Sequence, residues 1–359
     1  AASIGGWLSF AYAIMSFIFS PILGGLSDRF GRRPVILISL LGLGIDYIFC
    51  ALSPSISWLF LGRILAGICG ASFTTASAFI ADVSTDANRA KNFGMVGAAF
   101  GVGFIIGPLL GSLFGLINTR APFYAAACLS IINFIYGYFV LPESLPSEKR
   151  RQFDWKRANP LGSLMQLSKQ KTIFSLIIVM FIIELAGQAM PNVWSFFCIE
   201  KFNWTEKQIG ISLAVIGIVI AVVQGGLVGW AKDKFGEKKS LFIGLIFTTI
   251  GYILFSFANK TWMMYVFLIP FAIGGFAIPN IQSIITQKVP SNEQGELQGG
   301  LTSLISITAI IGPLIMSNSF TYFTDPSSSI YFPGIAFLIS AILSVFGLFF
   351  SYNTLKKLQ

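Results

Sequence analysis

Gly24-Gly-Leu-Ser-Asp28-Arg29-Phe-Gly31-Arg32-Arg33-Pro34 is a short basic turn between two long apolar runs. A degenerate copy, Gly229-Trp-Ala-Lys232-Asp233-Lys234-Phe-Gly236-Glu237-Lys238-Lys239, follows with Asp28 and Asp233 lying 205 positions apart. Two further pairs keep that offset: Gly107-Pro108 with Gly312-Pro313, and the loop Asp86–Gly94 with Ser291–Gly299. Three coincidences at one offset indicate a duplicated half, and an internal repeat constrains every later reading of the chain.

Of the 359 residues, 55% are hydrophobic and 11% charged, and the mean hydropathy is +0.77. Soluble domains carry about 25% charged residues, so the composition is that of an integral membrane protein. Ten-residue blocks of alternating polarity are missing, which argues against a barrel. Apolar runs of about 20 residues recur, long enough to cross the hydrocarbon core as helices. The 36 Gly and 36 Phe suit packed membrane helices. The net charge of +9 could point to nucleic acid, but its basic residues lie in short loops between helices. No nucleic-acid partner is expected, and the charge reads as topology-setting. Cys50, Cys69, Cys128 and Cys198 stand singly in apolar runs and form neither a disulfide pattern nor a metal-ligand spacing. The chain has no histidine, and no nucleophile–base pair or metal cluster suggests an enzyme.

The sequence predicts an all-α fold of eleven spanning helices near 5–26, 35–53, 58–82, 93–117, 121–141, 172–198, 209–230, 240–258, 262–287, 298–320 and 331–351. The boundaries expected are a first half at 1–141, a polar cytoplasmic linker at 142–171 and a second half at 172–359. Nineteen of the 24 Lys and Arg fall in alternate loops and the tail, against Arg120, Lys201, Lys207 and Lys260 on the other side and Arg63 within a helix. This split predicts a multi-pass inner-membrane protein with a cytoplasmic C-terminus. Shifted back by the repeat offset, the helix at 172–198 falls before residue 1. The expectation is therefore a six-plus-six architecture without its first helix; the alternative is a chain of eleven helices by nature.

A charge at mid-membrane costs about 2.5–3.5 kcal/mol on insertion scales, and Asp46, Arg63 and Glu184 carry such charges. They must pair or face a wet cavity. Glu184, Gln188 and Asn192 recur at i, i+4 and i+8 along one helical face. Pro191 frees a carbonyl on that helix, and Trp194, Phe196 and Phe197 suit a large aromatic substrate. Gln224, Asn280 and Gln282 add neutral polar groups. Gly103, Gly107, Pro108, Gly111 and Gly115 form a ridge at four-residue spacing, read either as tight packing or as a surface that seals or rocks the halves. Gly31 suits a left-handed turn, and Asp28 can accept from the N-terminus of a neighbouring helix and latch one conformation.

Gly24-x3-Asp28-Arg29-x-Gly31-Arg32-Arg33 resembles the signature loop of the major facilitator superfamily. Arg63 with Gly67 and Gly70 resembles its helix-4 motif, and Gly103 through Gly111 the helix-5 motif of its proton-coupled drug antiporters. Ile80-Ala-Asp82, Leu141-Pro-Glu-Ser144 and Gly187-Gln188 look like the tetracycline/H⁺ antiporter group. The resemblance implies two pseudo-symmetric six-helix halves and alternating-access export of a drug-like small molecule in exchange for protons. It implies no cofactor beyond the proton gradient, with a substrate that can travel as a metal–tetracycline complex. Asp46, Arg63, Asp82, Gln188 and Gln224 match polar positions of that group. Its helix-1 acid has no counterpart, its helix-8 histidine falls at Ile220 and its helix-9 aspartate at Thr248, while Glu184 stands where a neutral Gln is usual. A metabolite uniporter or symporter, and a non-transporting receptor or scaffold, are the alternatives; the latter would need a large soluble domain.

Overall fold

The computed structural model describes the backbone of residues 2–160, 162 and 171–356, and their side chains except at 2–7, 9, 104, 108, 109, 112, 171, 172, 206, 355 and 356. All regular structure among them is helical. In order come α1 (Ala2–Phe30), α2 (Arg32–Leu52), α3 (Ile56–Gly70), α4 (Phe73–Val83), α5 (Arg89–Gly115) and α6 (Ala121–Val140). After the linker follow α7 (Lys171–Gly187), α8 (Ala189–Phe202), α9 (Glu206–Val222), α10 (Val228–Ser256), α11 (Thr261–Val266), α12 (Leu268–Ile273), α13 (Ala277–Thr286), α14 (Gln294–Thr324) and α15 (Ile335–Lys356).

Several of these are pieces of one crossing. Among the described residues, ten helical stretches are long and apolar enough to span a bilayer, and one of them, Lys207–Ser256, holds 50 residues. At about 1.5 Å per residue it would be roughly twice a membrane's thickness. It breaks at Gly236, where φ is 76° and ψ 164°, and so supplies two crossings. The first copy of the turn breaks in the same conformation: Gly31 has φ 99° and ψ 161°. Among the described residues these are the two glycines at positive φ. The expected loop therefore contracts to a single residue in each copy, because a conformation open essentially to glycine alone reverses the chain at once.

Polar or small residues mark the other breaks. Pro191 sits in the first turn of α8, where its missing N–H costs little, and α7 ends at Gly187. Gln224 lies in a π-helical turn at Val223–Leu227 between α9 and α10; such bulges concentrate at functional sites. A 3₁₀ turn at Gly274–Phe276 separates α12 from α13.

The chain forms two compact units: residues 1–84, 107–170 and 286–307, and residues 85–106, 171–285 and 308–359. In the first, α1 packs on α3 and α2 on α6. In the second, α10 and α7 pack on α15, around Trp194, Phe197, Phe255 and Phe337. Trp194 meets Phe255 edge-on at 5.3 Å between centroids and donates to Ser212 Oγ at 2.9 Å. Trp194 and Phe197 are thus core residues rather than substrate contacts: three residues apart on α8, they share its inward face, while Phe196 turns outward.

The two positive-φ glycines differ in surroundings. A Cβ on Gly31 would lie 2.2 Å from Glu143 Oε2, whereas one on Gly236 would meet nothing within 4 Å. Gly236→Ala should then cost only the backbone strain, about 1–3 kcal/mol. Gly31→Ala should cost that strain plus a displaced helix cap, about 0.5–2 kcal/mol more. Thermal melting of both purified variants checks the order.

Candidate functional site

The basic turn is divided by burial. Ser27, Asp28 and Arg32 are fully buried, while Arg29 and Phe30 are exposed. Gly24 permits this burial: its ideal Cβ would lie 2.1 Å from the carbonyl oxygen of Gly295, so α1 and the start of α14 touch backbone to backbone. Asp28 then caps α14. Its Oδ1 accepts from the Gly295 N–H at 2.9 Å and its Oδ2 from the Glu296 N–H at 3.0 Å. Two of the N–H groups left unpaired at that helix end are satisfied by a carboxylate on the positive end of the dipole.

Arg32 and Arg151 balance the buried charge. Arg32 Nη1 stands 2.5 Å from Asp28 Oδ1, Nε 3.0 Å from Asp82 Oδ2, and Nη2 2.9 Å from the Ser291 carbonyl. Ser144 Oγ adds a bond to Asp82 Oδ2 at 3.1 Å. From the linker, Arg151 Nη2 meets Asp28 Oδ2 at 3.0 Å and Glu296 Oε2 at 2.6 Å. Arg157 bridges Glu293 at 3.2 Å and Glu296 at 2.8 Å. Burial works to lower the Arg157 pKa, but its bonds to Glu296 and Glu293 outweigh that and raise it. Glu143 takes the place of a side-chain cap on α2: Oε1 accepts from the Arg32 N–H at 2.8 Å and Oε2 from the Arg33 N–H at 3.3 Å. Arg33 Nη2 donates to the Tyr138 carbonyl at 2.6 Å.

The same unit holds two of the three intramembrane charges, and it brings them together. Asp46 is fully buried and Arg63 is 29% exposed, with Nη2 3.7 Å from Asp46 Oδ2. That separation is beyond hydrogen-bond distance, and Asp46 Oδ2 has no hydrogen-bond partner. Cys50 Sγ lies 3.8 Å from both Asp46 Oδ1 and Arg63 Nη2.

The remaining polar candidates belong to the second unit. Glu184, on α7, is half-buried and makes no hydrogen bond or ion pair among the described residues; the buried Tyr252 lies within range of its charge. One turn on, the helix breaks at Gln188. Asn192 Nδ2 donates to the Gln188 carbonyl at 2.7 Å and to its Oε1 at 3.3 Å. The expected Glu184–Gln188–Asn192 stripe is therefore present, interrupted by the break. Gln224 places Oε1 against Gly97, whose ideal Cβ would fall 1.4 Å away. Gln282 is buried on α13, and Asn280 donates to the Phe276 carbonyl at 2.7 Å.

Among the described residues, nothing packs closely on the glycine ridge of α5. Ideal Cβ atoms on Gly103, Gly107, Gly111 and Gly115 meet nothing within 4 Å; the side chain of Pro108 lies outside the described residues. The close approach on α5 falls instead at Gly94, Gly97 and Gly101, against Gln224, Val228 and Gly217.

In the second copy of the turn, Asp233 is exposed and makes no ion pair among the described residues. Lys232 does the joining: its Nζ donates to the Asp86 carbonyl and, at 2.8 Å, to that of Ala87. It also stands 3.1 Å from Glu237, which accepts from Ser283 Oγ at 2.6 Å. Glu143, Arg151, Glu296 and Cys50 lay outside the sequence-based candidates. Only the position of Glu143, directly after an apolar run, hinted at a helix-end role.

Residues 1–230 and 185–357 match the family model of the Major Facilitator Superfamily. The tetracycline resistance protein of class C from Escherichia coli is 41% identical over 342 residues, 95% of this chain and 85% of that protein. The class H protein from Pasteurella multocida is 36% identical, over 98% of this chain and 87% of its own length. Among solved structures, the human organic anion transporter MFSD10 (TETRAN) superposes with a TM-score of 0.86 at 23% identity, covering 97% of this chain and 83% of that one; this likeness is one of fold.

Removing Arg32 takes the ion-pair partner from the buried Asp82 and leaves Asp28 with Arg151 and two N–H groups, so Arg32→Ala should cost about 3 kcal/mol. The half-buried Arg157 pairs are worth about 1 kcal/mol, and Arg157→Ala should melt close to the parent. Hydrogen exchange tests the second copy: Lys232→Gln should speed exchange at residues 85–92, while Asp233→Asn should leave it unchanged.

Proposed function

The chain belongs to the major facilitator superfamily, and from that premise we propose that it is a proton-coupled exporter of a drug-like molecule, tetracycline first among them. It is a multi-pass membrane transporter; the names of its relatives support the substrate, and the residues support the coupling. The observation that carries the coupling is Glu184, a half-buried carboxylate in an apolar span that makes no hydrogen bond or ion pair among the described residues. A charge there is costly, so binding a proton relieves it and binding a polar or cationic drug relieves it as well. One group that takes either but not both exchanges one for the other.

Protonation then shifts the balance of inward- and outward-open conformers by the difference in its free energy between them. Gln188, Asn192 and Gln224 supply hydrogen bonds to the drug near the two helix breaks. Asp46 beside Arg63 is a second carboxylate able to respond to protons. Asp28, with Arg32, latches the cytoplasmic side by holding the start of α14. The charge split among loops supports an inner-membrane protein with a cytoplasmic C-terminus.

Inverted vesicles from cells making the protein should take up tetracycline when energised and release protons when it is added. Glu184→Gln should reduce both to the level of control vesicles at equal protein content. Absence of uptake by well-inserted parent protein would reject tetracycline, and unchanged proton release in Glu184→Gln would reject Glu184 as the coupling group.

A further inference from the structure

On the side that carries nineteen of the 24 Lys and Arg, α10 presents an exposed aromatic corner just before its break at Gly236. Trp230 is 51% and Phe235 36% exposed. Lys234 Nζ lies 5.0 Å from the Trp230 ring centroid and 5.5 Å from that of Phe235. The rings meet edge-on at 5.7 Å. Trp230 and Lys234, four residues apart, share a helical face. Lys91 of α5 lays its stem along Gly229 and is exposed, as are Lys238 and Lys239 past the break. The exposed acid of this turn is Asp233; Glu237 is engaged with Lys232.

The first copy repeats the cation and the ring. Arg29 lies 5.0 Å over Phe30, itself 51% exposed, at the positions matching Lys234 and Phe235. It differs at the position matching Trp230, where Gly25 is covered by the linker's Phe153, 3.1 Å from its ideal Cβ. The chain thus lays its own ring over that surface in one copy and leaves a bare Trp in the other. Setting topology requires the lysines alone; it does not require two exposed rings held beneath them.

We propose that Trp230, Lys234 and Phe235, with Lys91 beside them, bind the headgroup of an anionic phospholipid from the adjoining leaflet. Lys234 meets the phosphate. The rings receive the glycerol and first acyl carbons, as aromatic residues do at the membrane interface, and Lys91 adds charge on an apolar stem.

Native mass spectrometry of the purified full chain, titrated with phosphatidylglycerol or phosphatidylcholine of identical acyl chains, tests this without measuring transport. The parent should bind phosphatidylglycerol more tightly. A lysine near an anionic surface is worth about a five-fold change in binding, so Lys234→Gln should weaken phosphatidylglycerol by about that factor and leave phosphatidylcholine unchanged. Lys234→Arg should retain binding, and Lys149→Gln, which removes an exposed linker charge, should have no effect. Equal affinity of the parent for the two lipids, equal losses in Lys149→Gln and Lys234→Gln, or displacement by equimolar inorganic phosphate would each overturn the proposal.

Discussion

A buried carboxylate at the end of a helix organises the first unit. Asp28 has lost its water, and such a charge is tolerable only when hydrogen-bonded and paired. Its two oxygens accept from two backbone N–H groups of α14 and from the guanidinium groups of Arg32 and Arg151. Arg32 carries the constraint onward to Asp82, and Arg151 ties in the linker and Glu296. Four segments distant in sequence thereby share one electrostatic knot. Each bond to a charged group contributes roughly 1.5–3 kcal/mol.

The duplicated copy keeps the backbone device and discards the charge pattern. Gly31 and Gly236 adopt the same conformation, yet Glu237 stands where Arg32 does and Lys232 where Ser27 does. The acid that caps N–H groups in one copy is matched by an exposed Asp233 in the other, and Lys232 instead donates to carbonyls. A lysine is a donor without acceptor capacity, so the second copy reads the opposite polarity of the backbone. Duplication fixed the chain reversal, which only glycine permits; the charges diverged with the partners each copy meets.

The spans and the repeat were legible in the sequence because hydropathy and offset are local properties; the cost of intramembrane charge marked Asp46, Arg63 and Glu184 without saying which of them meet. The cap of Asp28 on a helix N-terminus was also legible as a kind of contact, but not its partner: Gly295 is 267 residues away. Arg151 and Arg157 read only as linker charge, since nothing local distinguishes a solvated arginine from one that bridges Glu296. The α5 ridge left two readings open because four-residue glycine spacing marks a smooth face without saying what lies against it. The positions where the resemblance implies a histidine and an aspartate hold Ile220 and Thr248. Ile220 packs against the core cluster, and Thr248 Oγ1 presses on Gly274, whose ideal Cβ would lie 2.2 Å from it. Both positions carry uncharged side chains, whereas Glu184 sits on the helix that breaks.

Two carboxylates stand in opposite circumstances: Glu184 makes no hydrogen bond or ion pair among the described residues, while Asp28 is bonded through both oxygens. The central claim is that the charge on Asp28, more than its shape, carries the cycle. The most direct measurement is tetracycline export by cells carrying Asp28→Asn at membrane levels matched to the parent. Asparagine keeps the size of the side chain and removes the charge that faces α14, Arg32 and Arg151. The account predicts that export is lost while insertion is intact. Export at the parent rate would contradict it.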